Sequence, residues 1–324
     1  MKRALTFVLT FVLTFVLVLS LFGCGSASQT VHLSFPTAGT SGTVYAVCSS
    51  LANLWNEKCE GVQVSAEASN GGVQNLNLIA NGDSQMGVAV TSILTEQKNG
   101  TGAFEGRAYD GMRVLTALYM NYNQVVVTKA SGVNSLADLK GKNFAPGASG
   151  STTTIETEVH FKASGLTFPD DIKASFVGFS EAVDLMRNKQ MDGAWIMSGI
   201  PTSAVSELCS TADAKVLSLD EALIEKLCAE YPWYARAVIP AGTYDGQDEE
   251  VVTTGITITI CIDKSVPDDV VYQLAKVMYE NIDSVKNVHN ALRDLTVESA
   301  VENLAGIEIH PGAAKYYKEV GVLD

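Results

Sequence analysis

Hydrophobic and polar positions along this chain alternate between two periods, and the switches between them mark its elements. Short apolar runs at 31–36, 62–68, 86–90, 143–145 and 194–197 are rich in Val, Ile, Phe and Met and too short for helices, so they read as buried strands. Between them the apolar positions recur every three or four residues. Val44, Val47, Cys48, Leu51, Leu54 and Trp55 share one helical face; Val73, Leu76 and Ile79 share a second, stopped at Asn81-Gly82. Ile155 and Val159 mark a third, Val183 and Met186 a fourth capped by Ser180, and Val270, Leu274, Val277 and Met278 a fifth. Strands are expected at 115–118 and 124–128, flanking Tyr119-Met120-Asn121-Tyr122-Asn123. A short capped helix is expected over 135–142, and a β-branched strand over 251–262. The pattern is that of an α/β fold.

Four of these strands leave through small polar or glycine-rich loops that open helices. The loops are Thr37-Ala38-Gly39-Thr40-Ser41-Gly42-Thr43, Ser69-Asn70-Gly71-Gly72, Pro146-Gly147-Ala148-Ser149-Gly150-Ser151-Thr152, and Ser198-Gly199-Ile200-Pro201-Thr202. Strand ends feeding helix N-termini collect unpaired N–H groups, hydroxyls and the positive ends of helix dipoles, and in open α/β sheets ligands gather there. The candidate ligand-binding residues are therefore Gly39, Thr40, Ser41, Thr43 and Tyr45, then Ser69, Asn70 and Gly71, then Ser149, Gly150, Ser151 and Thr152, with Ser198 and, from the aromatic run after Pro232, Tyr234. The competing reading of any one loop is helix capping alone. Several loops at matched places favour a site for a small anion.

The helix–turn–strand–exit order of residues 78–92 recurs at 185–199, which reads as two lobes of like design. The chain is expected to form lobe I from 31–123 plus 252–324 and lobe II from 124–251, with two crossings making a hinge around an inter-lobe cleft. Ahead of them, Lys2 and Arg3 precede an apolar stretch that ends at Leu21-Phe22-Gly23-Cys24. This resembles a bacterial lipoprotein signal: residues 1–23 removed, Cys24 lipidated, and 24–30 a tether. Such a protein is extracytoplasmic and meets the membrane only through the Cys24 lipid.

The formal charge of −14 argues against nucleic acid as a partner and against a polybasic membrane contact. An acidic protein that holds an anion must do so through local dipoles. Beyond Cys24 there are five cysteines, Cys48, Cys59, Cys209, Cys228 and Cys261, at spacings unlike a zinc site; whether Cys209 and Cys228 pair is open from sequence. Nothing calls for a cofactor or metal. Catalysis finds no support: the Gly-Thr-Ser-Gly-Thr and Gly-Ala-Ser-Gly-Ser stretches miss the nucleophile elbow, and the four histidines are scattered.

With these elements in order, the sequence resembles the solute-binding subunits of tripartite TRAP transporters, TAXI branch. The resemblance is carried by the stretch from Thr37 to Tyr45, the 69–76 segment, Phe179-Ser180-Glu181-Ala182-Val183, Tyr231-Pro232-Trp233-Tyr234, the 238–248 stretch, and His310-Pro311-Gly312-Ala313-Ala314-Lys315-Tyr316-Tyr317. It implies a two-lobed type II periplasmic-binding-protein fold and delivery of solute to separate TRAP membrane subunits. It also implies a small carboxylate or amino-acid ligand such as glutamate, glutamine or 2-oxoglutarate. Where the first loop of that family continues with two aromatics, this chain has Val44, Ala46 and Cys48 around Tyr45. A sensing role, with the liganded lobes presented to a signalling protein, is the alternative use of the same fold.

Overall fold

The computed structural model describes residues 30–324; the expected signal segment 1–23 and the expected lipidation site Cys24 lie outside the described residues. Strand β1 (Val31–Pro36) opens the described chain and pairs with β2 (Val62–Glu67) in a small two-stranded sheet. Helix α1 (Thr43–Lys58) connects them, burying Val44, Val47, Cys48, Leu51 and Trp55 as the periodicity predicts. The Trp55 indole N–H donates to the Leu274 carbonyl at 2.9 Å, which fixes α1 against helix α8 (Asp268–Glu280). Helix α2 (Gly72–Ala80), strand β3 (Met86–Val90) and helix α3 (Thr91–Asn99) follow, and β3 is buried along its whole length.

The main sheet has eight strands and mixes parallel with antiparallel pairs. Its spine is two long strands, β4 (Met112–Thr128) and β10 (Val251–Asp263). They run antiparallel from Met112 opposite Asp263 to Tyr122 opposite Gly255. Each strand then changes partner. From Tyr122 onward β4 pairs with β7 (Gly193–Ser198) and, on its other edge from Val125, with β8 (Ala214–Leu217). Strand β10 pairs with β9 (Tyr234–Ile239) over Val251 to Ile256, and with β3 over Ile258 to Ile262. Strands β5 (Asn143–Ala145) and β6 (Lys173–Ala174) extend the β7 side in parallel.

Helices α4 (Thr152–Ala163), α5 (Phe179–Arg187), α6 (Ser203–Thr211) and α7 (Glu221–Glu230) accompany β5 to β9. Val183, Met186, Val205 and Leu208 of α5 and α6 pack with Val126, Ala194 and Ile196 of the sheet in one apolar core. Short α9 (Ile282–Lys286) and α10 (Pro311–Glu319) complete the chain, α10 packing on α8 through Tyr279, Tyr316 and Tyr317. No helix among the described residues is long and apolar enough to cross a membrane.

Two expectations need correction. The strands expected at 115–118 and 124–128 are one 17-residue strand, because Tyr119, Asn121 and Asn123 stay in the ladder with buried side chains. Asparagine disfavours strands on average, but Asn123 has three hydrogen-bond partners inside the protein. Second, Ser180 does not cap α5: Gly178 is the N-cap, and the Ser180 hydroxyl instead donates to Ser41 Oγ at 3.0 Å. The five described cysteines are all free thiols, Cys209 and Cys228 included.

Candidate functional site

Five helices begin at the wall of one cavity. Gly42 and Val44 bring the start of α1, Gly71 and Gly72 that of α2, Val90 that of α3, Ser151 to Thr153 that of α4, and Gly178 with Phe179 that of α5. The cavity has a volume of about 120 Å³. Side-chain caps are absent from α1, α2, α3 and α5. Only α4 is capped, Ser151 Oγ accepting from the Thr154 N–H at 3.2 Å. Apart from that of Thr43, which donates to Ser198 Oγ, the uncapped first-turn N–H groups are donors for a ligand or water, and the helix dipoles add positive potential. Between them stand Val44, Val88, Val90, Phe179, Met197 and Ile258, so much of the wall is hydrocarbon. Among the described residues, no arginine, lysine, histidine, aspartate or glutamate lines the cavity.

The loops are held in place from behind. Asn75 on α2 donates to the carbonyls of Thr37 (2.8 Å) and Val88 (2.9 Å) and accepts from Ser69 Oγ (2.7 Å), joining the exits of β1 and β2 to the middle of β3 through one buried amide. Thr37 closes on β2 through its hydroxyl, which donates to the Glu67 carbonyl at 2.8 Å. Gly71 sits at φ +99°, in the region that favours glycine, which lets the chain turn into α2. Gly72 is constrained by space: a Cβ there would lie 2.9 Å from Thr152 Oγ1.

Two buried polar atoms of the wall have no partner among the described residues, Asn121 Oδ1 and Thr152 Oγ1; their residues are 1 % and 4 % exposed. Leaving such groups unmade costs roughly 1–3 kcal/mol each, so a ligand or ordered water is expected there.

Seven of the fourteen candidate residues line the cavity: Gly39, Ser69, Asn70, Gly71, Ser151, Thr152 and Ser198. The other seven lie elsewhere. Thr40, Ser149 and Gly150 are exposed on the outer turns of their loops, and Tyr45 is half-buried on α1. Ser41 and Thr43 form a bridge to the β7 exit. The Thr43 N–H donates to Ser198 Oγ at 3.2 Å and its hydroxyl to the Gly199 carbonyl at 3.1 Å. The Ser41 carbonyl accepts from the hydroxyls of Thr202 and Ser203, at 3.3 and 2.6 Å.

Tyr234 belongs to a buried polar cluster where β4 and β10 exchange partners. Its hydroxyl donates to Glu156 Oε2 at 2.7 Å, which also accepts from Asn123 Nδ2 at 3.1 Å. Trp195 donates to Asn123 Oδ1 at 2.9 Å, and His160 Nε2 meets Thr254 Oγ1 at 2.7 Å. Burial pushes the Glu156 carboxyl up to about 7, against the pull of the Tyr234 and Asn123 hydrogen bonds. Burial also holds His160 down to about 4, so its ring is neutral near pH 7.

The sequence reading passed over Asn121, Gly42, Gly72, Gly178 and Phe179. Gly42 and Gly72 stood inside the quoted loops, and Phe179 opened a motif of the family resemblance. Asn121 gave no signal beyond being a polar residue in a strand. Among the described residues, no group of three or more His, Cys, Asp or Glu is placed to hold a metal ion.

Solved structures with the same architecture include a periplasmic transporter, 14% identical over 91% of this chain and 94% of that one, with a TM-score of 0.54. A putative L-cystine ABC transporter protein from Listeria monocytogenes is 12% identical over 81% of this chain and 96% of that one, at a TM-score of 0.52. The substrate-binding protein of an amino acid ABC transporter is 13% identical over 82% and 100%, at 0.50. At these identities the likeness is one of fold, and that fold is the two-lobed periplasmic-binding-protein type expected from the sequence. Residues 35–321 match the NMT1-like family, and the chain belongs to it.

Proposed function

We propose that this chain is an extracytoplasmic solute-binding receptor of a TRAP-type transporter, capturing a small carboxylate and handing it to membrane subunits. The observation that carries the reading is the cavity, where five helix N-termini, four of them uncapped, meet around two unpartnered buried polar atoms with no charged side chain of the described residues in the wall. A carboxylate there is held by N–H groups, hydroxyls and dipoles, as an acidic protein requires. In this reading residues 31–123 plus 252–324 form one lobe and 124–251 the other. The partner changes at Tyr122 on β4 and near Gly255 on β10 support a hinge at these crossings. Ligand contact with both lobes then shifts an open–closed equilibrium, and the Ser41 and Thr43 bonds to the 198–203 segment belong to the closed form. Cys24 is the lipid anchor.

Calorimetric titration of the purified full chain with glutamate, glutamine, 2-oxoglutarate and monocarboxylates tests this. Saturable 1:1 binding of a carboxylate, with a smaller scattering radius in its presence, is the expected result. If no carboxylate binds and no small molecule co-purifies, the receptor reading fails.

A further inference from the structure

A carboxylate site leaves the rest of the ligand to be read by the same walls. Among the described residues the cavity has no side-chain anion, and every helix end facing it is an N-terminus. An ammonium group brought inside would meet positive dipoles and no counter-charge, and a buried unpaired cation is strongly disfavoured. Asn121 Oδ1 is nevertheless an acceptor without a donor, in a wall position 1 % exposed. An N–H or O–H from the occupant would satisfy it, and with no counter-charge in the wall an uncharged donor is favoured. The hydrocarbon of Val44, Val88, Val90, Phe179, Met197 and Ile258 requires an apolar body. Thr152 Oγ1, the second unpartnered atom, is a hydroxyl at the first turn of α4 and is free to donate to the carboxylate.

We propose, resting on the receptor reading above, that the ligand is a monocarboxylate with an apolar body and a neutral hydroxyl, a 2-hydroxy acid, and that Asn121 is the residue that selects it. Amino acids are rejected because nothing in the wall compensates their ammonium. Dicarboxylates are disfavoured because their second charge would displace hydrocarbon contacts. The Asn121 amide then discriminates between the hydroxy acid and the same acid without its hydroxyl, since only the former satisfies Oδ1.

The test is a matched set titrated by calorimetry into the full chain in mild detergent: 2-hydroxy-4-methylpentanoate, 4-methylpentanoate, leucine and 2-oxoglutarate. The hydroxy acid is expected to bind at least tenfold more tightly than each of the others. In Asn121→Leu the advantage over 4-methylpentanoate should vanish. Should that variant fail to fold, Asn121→Asp serves instead: its new carboxylate should weaken the hydroxy acid and raise the relative affinity of leucine at least tenfold. Leucine or 2-oxoglutarate binding as tightly as the hydroxy acid overturns this inference and leaves the receptor reading standing. Equal binding of the hydroxy and deoxy acids overturns the role of Asn121. Failure of all four to bind overturns the inference, and the receptor reading falls with it only if no other carboxylate binds and none co-purifies.

Discussion

Gly72→Ala isolates the approach of α2 to α4 across the cavity. The added Cβ would stand 2.9 Å from Thr152 Oγ1 and 3.4 Å from the Cα and Cβ of Ala89. The first distance is below van der Waals contact, while the second is tolerable. Thr152 is buried and β-branched, so its hydroxyl has little room to swing aside. Overpacking of this kind costs about 1–3 kcal/mol, which is roughly a fivefold to hundredfold loss of affinity. In the receptor reading proposed above, that cost falls on the closed form, in which α2 and α4 approach each other. In the open form Ala lowers unfolded-state entropy and favours folding by about 0.4–1 kcal/mol. Calorimetry with the tightest carboxylate of the panel should therefore show weaker binding, while the melting temperature without ligand is unchanged or raised. In a Thr152→Ala background, where Oγ1 is gone, Gly72→Ala should cost little more. Equal losses in both backgrounds, or a lower melting temperature with affinity intact, would refute the steric argument.

Other substitutions separate structural from ligand roles. Ser151→Ala removes the only side-chain cap among the five helix starts and should cost about 1 kcal/mol of stability, read from the denaturant midpoint. The Glu156 carboxyl has a folded pKa raised above its usual value, so its contribution is present at acid pH and lost as pH rises through about 7. His160, held down to about 4, acts oppositely: its contribution is present above its usual range and lost as pH falls through about 4. Glu156→Gln keeps an acceptor for Tyr234 and Asn123, so the decline in melting temperature between pH 5 and pH 8 should shrink; an unchanged decline would locate it elsewhere. Fatty-acid probe labelling of cells should mark the wild type and not Cys24→Ala, and equal labelling of both would remove the lipid anchor from the account.

Much of the fold was legible because strand exits carry local chemistry. Short apolar runs followed by Gly, Ser and Thr announced β1, β2, β5 and β7 and the helices after them. Each depends on nearest neighbours alone. Strand β4 was misread because Asn121 and Asn123 look like a break, whereas their environment is tertiary: Asn123 is satisfied by Glu156, Trp195 and Thr254, all remote in sequence. The same gap explains the site. The loops were visible, and their innermost residues reach the cavity wall. Which side chain turns inward depends on how the loops meet, so Thr40 and Ser149 ended up outside and Ser41 and Thr43 bond to the 198–203 segment. Tyr234 carried the right character for a ligand contact, and burial beside Glu156 gave its hydroxyl a different partner.

The central claim is that helix N-termini and hydroxyls around this cavity hold a small anion. Gentle unfolding of the purified full chain, followed by mass spectrometry of what is released, tests it most directly. The account predicts one small anionic species, bound 1:1 by the wild type and lost from Thr152→Ala and Asn121→Leu proteins that still fold. A released cation, or an anion retained equally by both folded variants, would contradict it.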